Sequence, residues 1–442
     1  MGMKQQQSIW ISIVLYGLVA MSLFLTWRIL IVPSTTVQVQ GVNPSGQGTT
    51  VSNTNVIDLE DLFAPYQMAV HSNTNTYITQ DDEIMADVQK FLATWKMRDV
   101  TLDETFTELE YRELLLETGR IELRFPASAH LNMLSHYFEG VPEELQNHQI
   151  NRILISTNQN EPIYLVNDQN RNVYRAERPE SPLQPLISLY ADQQEQFYLA
   201  DAFAFSEGLT FLPRGEITVP SLVYLVEKQP NSFFINQLFD DTTELRDDSN
   251  DYVTAYSDNI SELRLNKETG VLFYYRNTLD QTNNPPSQQV RDSFHALKFI
   301  DTWTQATYFS GYDDQSREIL YRRFIEGLPI FSAQERGYIR MEMSNNYLIR
   351  IQYPTEVIQT PLTDREEQVT LPSAREVRDV LTSNGYNFAD IEMMQVGYQW
   401  LSSEESSRIA ELEPKWFVKM GGSWRTVESW LMVMGAGDEL GL

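Results

Sequence analysis

The sequence predicts an α+β protein: a single N-terminal transmembrane helix followed by a multi-domain extracytoplasmic part in which helices pack on antiparallel sheets. Three observations carry this expectation. Ser8 to Trp27 is a run of twenty residues without formal charge, and a helix rising ~1.5 Å per residue crosses a ~30 Å hydrocarbon core in about twenty residues. Beyond residue 58, segments of helical period are followed twice by alternating strands and turns. The 442 residues contain no cysteine, so the exported part must be held by apolar cores, which 42% apolar content with 22 Tyr and 21 Phe can supply.

The apolar run continues through Ile29 to Val32 and stops at Pro33. A secretory signal needs only about 7 to 15 apolar residues and a small-residue cleavage site, which Ile31, Val32 and Pro33 do not provide. Arg28 can snorkel to the interface beside Trp27. Lys4 and the α-amine precede the span and Arg28 follows it, which favours a cytoplasmic amino terminus. An uncleaved signal peptide is the alternative, and it too exports the bulk of the chain. The expected organisation is a cytoplasmic head 1–8, a transmembrane helix 9–32, a flexible linker 33–57 rich in Ser, Thr, Asn, Gln and Gly, and α+β domains at 58–185, 186–285 and 286–442.

Sixty-one acidic against thirty-three basic residues give a net charge of -28. That charge repels nucleic acid and anionic lipid heads, and it reads as a solvated surface.

The first helix is expected in "DDEIMADVQKFLATW", with Ile84, Val88, Phe91, Leu92 and Trp95 on one face. Strands follow at "GRIELRFP" and "RILISTN", and Pro179, Pro182 and Pro185 mark a boundary. The central unit offers a strand in "SLVYLVEK", a helix at "SFFINQLF" and a hairpin. In that hairpin, a loop from Asn266 to Gly270 would set Leu265 opposite Val271 and Leu263 opposite Phe273. It ends at the linker "TNNPP". The third unit begins with a helix around "VRDSFHALKFIDTW" and the strand "REILYRRFIEGLPIF". A three-residue loop starting at Ser344 would align Met343 with Tyr347, Met341 with Ile349 and Ile339 with Ile351. A capped helix follows, with Ser373 and Glu376 as capping box, Val377, Val380 and Leu381 as its buried stripe and Gly385 closing it. The strand "IEMMQVGYQWL" and a hairpin turned by Gly421 and Gly422 complete the unit. "GAGDELGL" reads as a frayed tail.

Chemical motifs are scarce. His71, His130, His136, His148 and His295 show no zincin spacing, and neither G-x-S-x-G nor S-x-x-K occurs. Asp247, Ser249, Asp251 and Asp258 imitate a calcium loop, but Tyr252 stands where the turn requires glycine, so a solvated acidic loop is the better reading. A carboxylate pair for glycoside hydrolysis remains the enzymatic alternative.

Several segments in order resemble the YycH family: "SLFLTWRIL", "LFAPYQMAVHSN", "GRIELRFPA", "FFINQLFDD", "LKFIDTW", "RRFIEGLPIF" and "LEPKWFVK". The resemblance spans the chain and implies an auxiliary regulator of the WalK/WalR (YycG/YycF) two-component system. It implies one anchor helix, three extracytoplasmic domains and a YycI-like partner of related fold. Together the two would contact a sensor histidine kinase of WalK type and affect cell-wall metabolism. It brings no catalytic residue, metal or cofactor. One departure is local: Asp301 and Thr302 precede Trp303 where the family pattern leads one to expect two glycines. On this reading Ser12, Ser22 and Thr26 share one side of the span as a contact for the kinase, and the region of Trp416, Phe417 and Trp424 carries part of the partner surface. The alternatives in other classes are an anchored wall-active hydrolase and a glycan-binding module.

Overall fold

Strand alternation in "GRIELRFP" puts Ile121, Leu123 and Phe125 on one face and Arg120, Glu122 and Arg124 on the other, and both faces are buried. The computed structural model describes residues 57–277, 284–403 and 406–440. The expected span and linker, with Ser12, Ser22 and Thr26, lie outside them. No helix among the described residues is long and apolar enough to cross a membrane.

The strand Arg120–His130 is the fifth of a nine-stranded sheet. On one side of it follow Gln149–Ser156, Ile163–Val166, Asn172–Glu177 and Arg98–Thr105. On the other follow Gln67–Ser72, Asn75–Thr79, Tyr198–Phe205 and Gly208–Pro213. Met68, Leu123, Ile153 and Leu165 form one apolar face with helix α1 (Asp82–Thr94), which contributes Ile84, Val88 and Leu92. Asp81 starts α1 by accepting hydrogen bonds from the Glu83 and Ile84 N–H groups, satisfying two donors that the first turn leaves open. Trp95 closes the stripe and donates Nε1–H to the Ser181 carbonyl at 2.9 Å. The opposite face is covered by α2 (Glu108–Leu116) and by the hairpin Tyr198–Pro213. The proline-rich segment passes into α3 (Gln184–Asp192), with Pro185 in its first turn, where a missing N–H costs nothing.

The second sheet has fifteen strands and carries both later helix and meander units. In one part, α4 (Asn231–Leu238) and α5 (Pro286–Ile300) share an apolar cluster with Ile339, Met341 and Ile351. In the other, α6 (Ala374–Ser383) and α7 (Val427–Leu440) border the strands Met393–Ser402 and Ile409–Met420. Leu328–Phe331 joins the two parts through a parallel pairing with Met393–Ser402. The Ser373 and Glu376 capping box is present, with Glu376 N–H donating to Ser373 Oγ and Ser373 N–H to Glu376 Oε2.

Several local expectations need correction. Leu265 faces Leu272 and Leu263 faces Tyr274, one residue beyond the expected register. The Asn266 side chain accepts from the Glu268 and Thr269 N–H groups and holds a four-residue loop, so Phe273 turns outward beside Arg264. The turn after Ser344 has two residues, Asn345 and Asn346, with Asn345 at φ +50°. A bulge between Glu342 and Met343 then realigns Met341 with Ile351 and keeps the apolar face intact. Val380 points to solvent, 42% exposed, leaving Val377 and Leu381 as the buried stripe of α6. "REILYRRFIEGLPIF" is two strands, Glu318–Ile325 and Leu328–Phe331, turned at Glu326 and Gly327. Part of the expected tail belongs to α7. Where two glycines were expected, Asp301 is buried and accepts from Arg323 Nη2 at 3.1 Å and Tyr353 OH at 2.9 Å, and Trp303 adopts φ +54°.

Candidate functional site: a hairpin and a cleft between two sheets

Alternation along the hairpin Tyr198–Pro213 gives each of its faces to a different core. Ala200, Leu209 and Phe211 cluster with Ala69, Leu154 and Val166 of the first sheet. Phe203, Phe205 and Leu212 cluster with Val377, Met394 and Trp416 of the second unit. Polar contacts follow the same division. Asp201 pairs with Arg214 at 2.8 Å and with Arg375 of α6 at 2.6 Å, and Lys419 pairs with Glu207.

Beneath the hairpin lies a set of buried charges. Arg152, fully buried, donates from Nε and Nη2 to the Asp168 carboxylate at 2.6 to 3.0 Å, and from Nη1 to Glu122. Asn151 Nδ2 and Tyr111 OH also donate to Asp168, at 2.8 and 2.7 Å. His71 Nε2 stands 3.6 Å from Glu122. Burial by itself would raise both carboxyls, but the Arg152 guanidinium, with Arg124 beside it, holds Glu122 and Asp168 below the usual carboxylate range. These groups grip the hairpin. Arg152 also donates to the Leu209 carbonyl, and Arg124 Nη1 donates to Thr210 Oγ1 at 3.0 Å. Gly208, at φ +124°, lies against Asp168 so closely that a Cβ there would meet its side chain at 2.9 Å. Only glycine fits both the conformation and the space.

Where the hairpin meets the second sheet, a solvent-open cleft of about 220 Å³ remains. Its walls include Thr210 to Pro213, Thr218, Met393 to Val396 and Trp416, with Asp81 and Glu326 among its acidic lining. Gln67, 4% exposed, lines the cleft with an Oε1 that has no hydrogen-bond partner among the described residues. Near one wall, the turn at Glu326 and Gly327 presses against the start of α1. A Cβ on Gly327 would sit 1.7 Å from the Gln80 carbonyl oxygen, so the two backbones touch directly. Asp82 is an exposed residue, yet its carboxyl lies against the turn, with Oδ1 3.6 Å from the position a Gly327 Cβ would take. That enclosure, with repulsion from Glu326, pushes its pKa up to about 6 against the Gly327 N–H hydrogen bond.

The structure places the remaining candidates plainly. Trp416 and Phe417 are core side chains, 4% and 3% exposed, and Trp416 also borders the cleft. Trp416 donates Nε1–H to the Pro372 carbonyl at 2.9 Å, and Phe417 stacks on Phe331 at 3.8 Å. Trp424, half-buried, lies 5.4 Å from the same Phe331 ring. Asp247 and Asp258 spend their Oδ1 atoms on the N–H groups of Ser249, Ile260 and Ser261. No group of three or more metal-ligating side chains is assembled among the described residues. Sequence reasoning missed Gln67, Arg152 and Asp168. The one local signal was Arg152, a charge placed just before the apolar run Ile153 to Ile155.

Two family models match in order: "YycH protein, N-terminal domain" over residues 10–187 and "YycH protein, C-terminal domain" over residues 208–434. A curated relative from Bacillus subtilis (strain 168), named "Two-component system WalR/WalK regulatory protein YycH", is 21% identical over 383 residues, covering 82% of this chain and 84% of its own. The crystal structure of YycH from Bacillus subtilis matches with a TM-score of 0.72 at 17% identity, covering 84% of this chain and 98% of that one. That match shows a shared fold. With the C-terminal model alone spanning more than half of its residues, the chain belongs to the YycH family.

Proposed function

We propose that this chain is a membrane-anchored extracytoplasmic regulator that binds and modulates a WalK-type sensor histidine kinase together with a YycI-like partner. The observation that carries the reading is the ordered match of both YycH domains, joined to a relative whose name assigns it to WalR/WalK regulation. The uncharged run from Ser8 to Trp27 supports an anchor, and the acidic, cysteine-free remainder supports an exported soluble part. Action by contact rather than turnover fits the deepest carboxylates, because Glu122 and Asp168 are committed to Arg152 and not free to exchange protons.

Transcription from a WalR-dependent promoter, compared between a deletion strain and the same strain complemented with the full chain, tests the reading. A change restored by the chain is expected, and identical output in both strains overturns it. Replacing Ser12, Ser22 and Thr26 together by Leu is expected to preserve insertion while weakening co-purification with the kinase. Release of sugars from peptidoglycan by the purified chain, abolished by one Asp or Glu substitution, would instead establish the hydrolase.

A further inference from the structure

The cleft is bordered by two strands that, among the described residues, each leave part of one edge without a paired strand. Gly208–Pro213 ends the first sheet and pairs, among the described residues, with Tyr198–Phe205 alone. Met393–Ser402 pairs along its whole length with Ile409–Met420 on one side. On its other side Leu328–Phe331 pairs at Tyr398 and Gln399 and Pro329 lies against Gly397, so among the described residues Met393 to Gln395 have no strand paired with them there. Glu207 N–H donates to the Glu392 carbonyl at 3.3 Å and ties the two edges together at their base. Beyond that bond the cleft lies between them, lined by the consecutive residues Thr210 to Pro213 and Met393 to Val396. Unpaired strand edges are templates for a further strand, because their outward N–H and C=O groups need partners.

We propose that this cleft binds an extended polypeptide segment carrying a basic side chain, added as a strand between the edges Gly208–Pro213 and Met393–Val396. Four residues of strand span about 13 Å at ~3.3 Å each, which matches the four residues on each wall. The ligand's backbone meets the two edges and the Gln67 amide, whose Oε1 is buried without a partner and accepts one ligand N–H. Its apolar side chains lie against Ile217, Leu328 and Trp416, and its basic side chain faces Asp81 and Glu326. Charge complementarity selects a cation over an anion here, in a chain of net charge -28. The inference stands on the cleft alone. A chain that binds peptide without altering WalR output would keep it and overturn the regulatory reading.

The probe is a short capped peptide of alternating valine and lysine, added to the full chain in detergent micelles and read by hydrogen exchange. Saturable protection of the amides of residues 209–212 and 393–397 is expected, with Thr218→Trp, which fills the cleft from an exposed position, abolishing it. The same peptide methylated at alternate backbone nitrogens should bind roughly tenfold or more weakly, the loss expected from one or two hydrogen bonds. Glutamate in place of lysine should weaken binding as well. No protection at about 1 mM peptide overturns the proposal. Equal binding of the methylated peptide overturns it too, as does protection by an N-acetylglucosamine disaccharide in place of the peptide. Neither the two peptide comparisons nor the disaccharide control depends on a variant folding.

Discussion

Arg152 in the first sheet and Arg322 in the second are both removed from solvent, yet they are accommodated by opposite means. Arg152 meets two carboxylates and a backbone carbonyl, and the Tyr111 hydroxyl donates to one of those carboxylates. Arg322 meets rings: its guanidinium carbon lies 4.1 Å from the Phe331 centroid and 3.7 Å from that of Tyr338, and Nη1 donates to the Ile330 carbonyl at 3.1 Å. Burial pushes the Arg322 pKa well below the usual guanidinium value, and Arg340 adds repulsion. The Arg152 site balances charge with charge, so losing one partner strands another. The Arg322 site balances charge with polarisable surface, and each ring supplies a modest share.

The largest expected effect tests the first half of this contrast. Asp168→Asn leaves Arg152 and Arg124 short of a counter-charge and should destabilise by about 3 to 5 kcal/mol, measured by urea unfolding. A loss smaller than that of Arg322→Met would break the comparison. Next, Gly208→Ala forces a Cβ into Asp168 at a φ that L residues avoid. It should cost about 2 to 3 kcal/mol and should be less harmful when combined with Asp168→Ala. On the aromatic side, Tyr338→Leu removes one of two rings and should cost about 1 kcal/mol.

Acid sharpens the contrast further. Glu122 and Asp168 have depressed folded values, so their contribution is present above the ordinary carboxylate range and is lost as pH falls through those depressed values. Asp168→Asn should flatten that low-pH loss, whereas Arg322→Met should leave it unchanged. The smallest effects come from single groups. His136, lowered from 6.5 to about 4 by burial and by Lys96, should withdraw stability as pH falls across that interval. Asp82, raised from 3.8 to about 6 by enclosure, acts in the opposite sense, with stability declining as pH rises between those values. Asp82→Asn should remove that decline in thermal melts recorded across the range.

Parts of this architecture were legible in the residues. Ile84, Val88, Leu92 and Trp95 announce one buried helix face, and Ser373 with Glu376 announces a helix start, because both signals are local. The charged face of "GRIELRFP" was not legible as a buried one. Its period is that of any half-exposed strand, and what covers it arrives some eighty residues later as the hairpin 198–213. Register failed for a related reason. The Asn266 loop and the bulge at Glu342 each shift pairing by one residue, which composition does not encode. The cleft depends on two edges separated by about 180 residues in the chain, and no short pattern marks an edge.

The hairpin has a kinetic consequence. Each of its faces completes a different core, so its burial must wait until the first sheet has collapsed and Met394, Val418 and Val377 have come together. Such long-range docking closes large loops of chain and belongs after the folding barrier. Substitutions such as Phe203→Ala or Phe211→Ala should therefore accelerate unfolding far more than they slow refolding, giving φ-values near zero in stopped-flow experiments. The last element to seat would then be the first to leave, and its departure would wet both cores in one event.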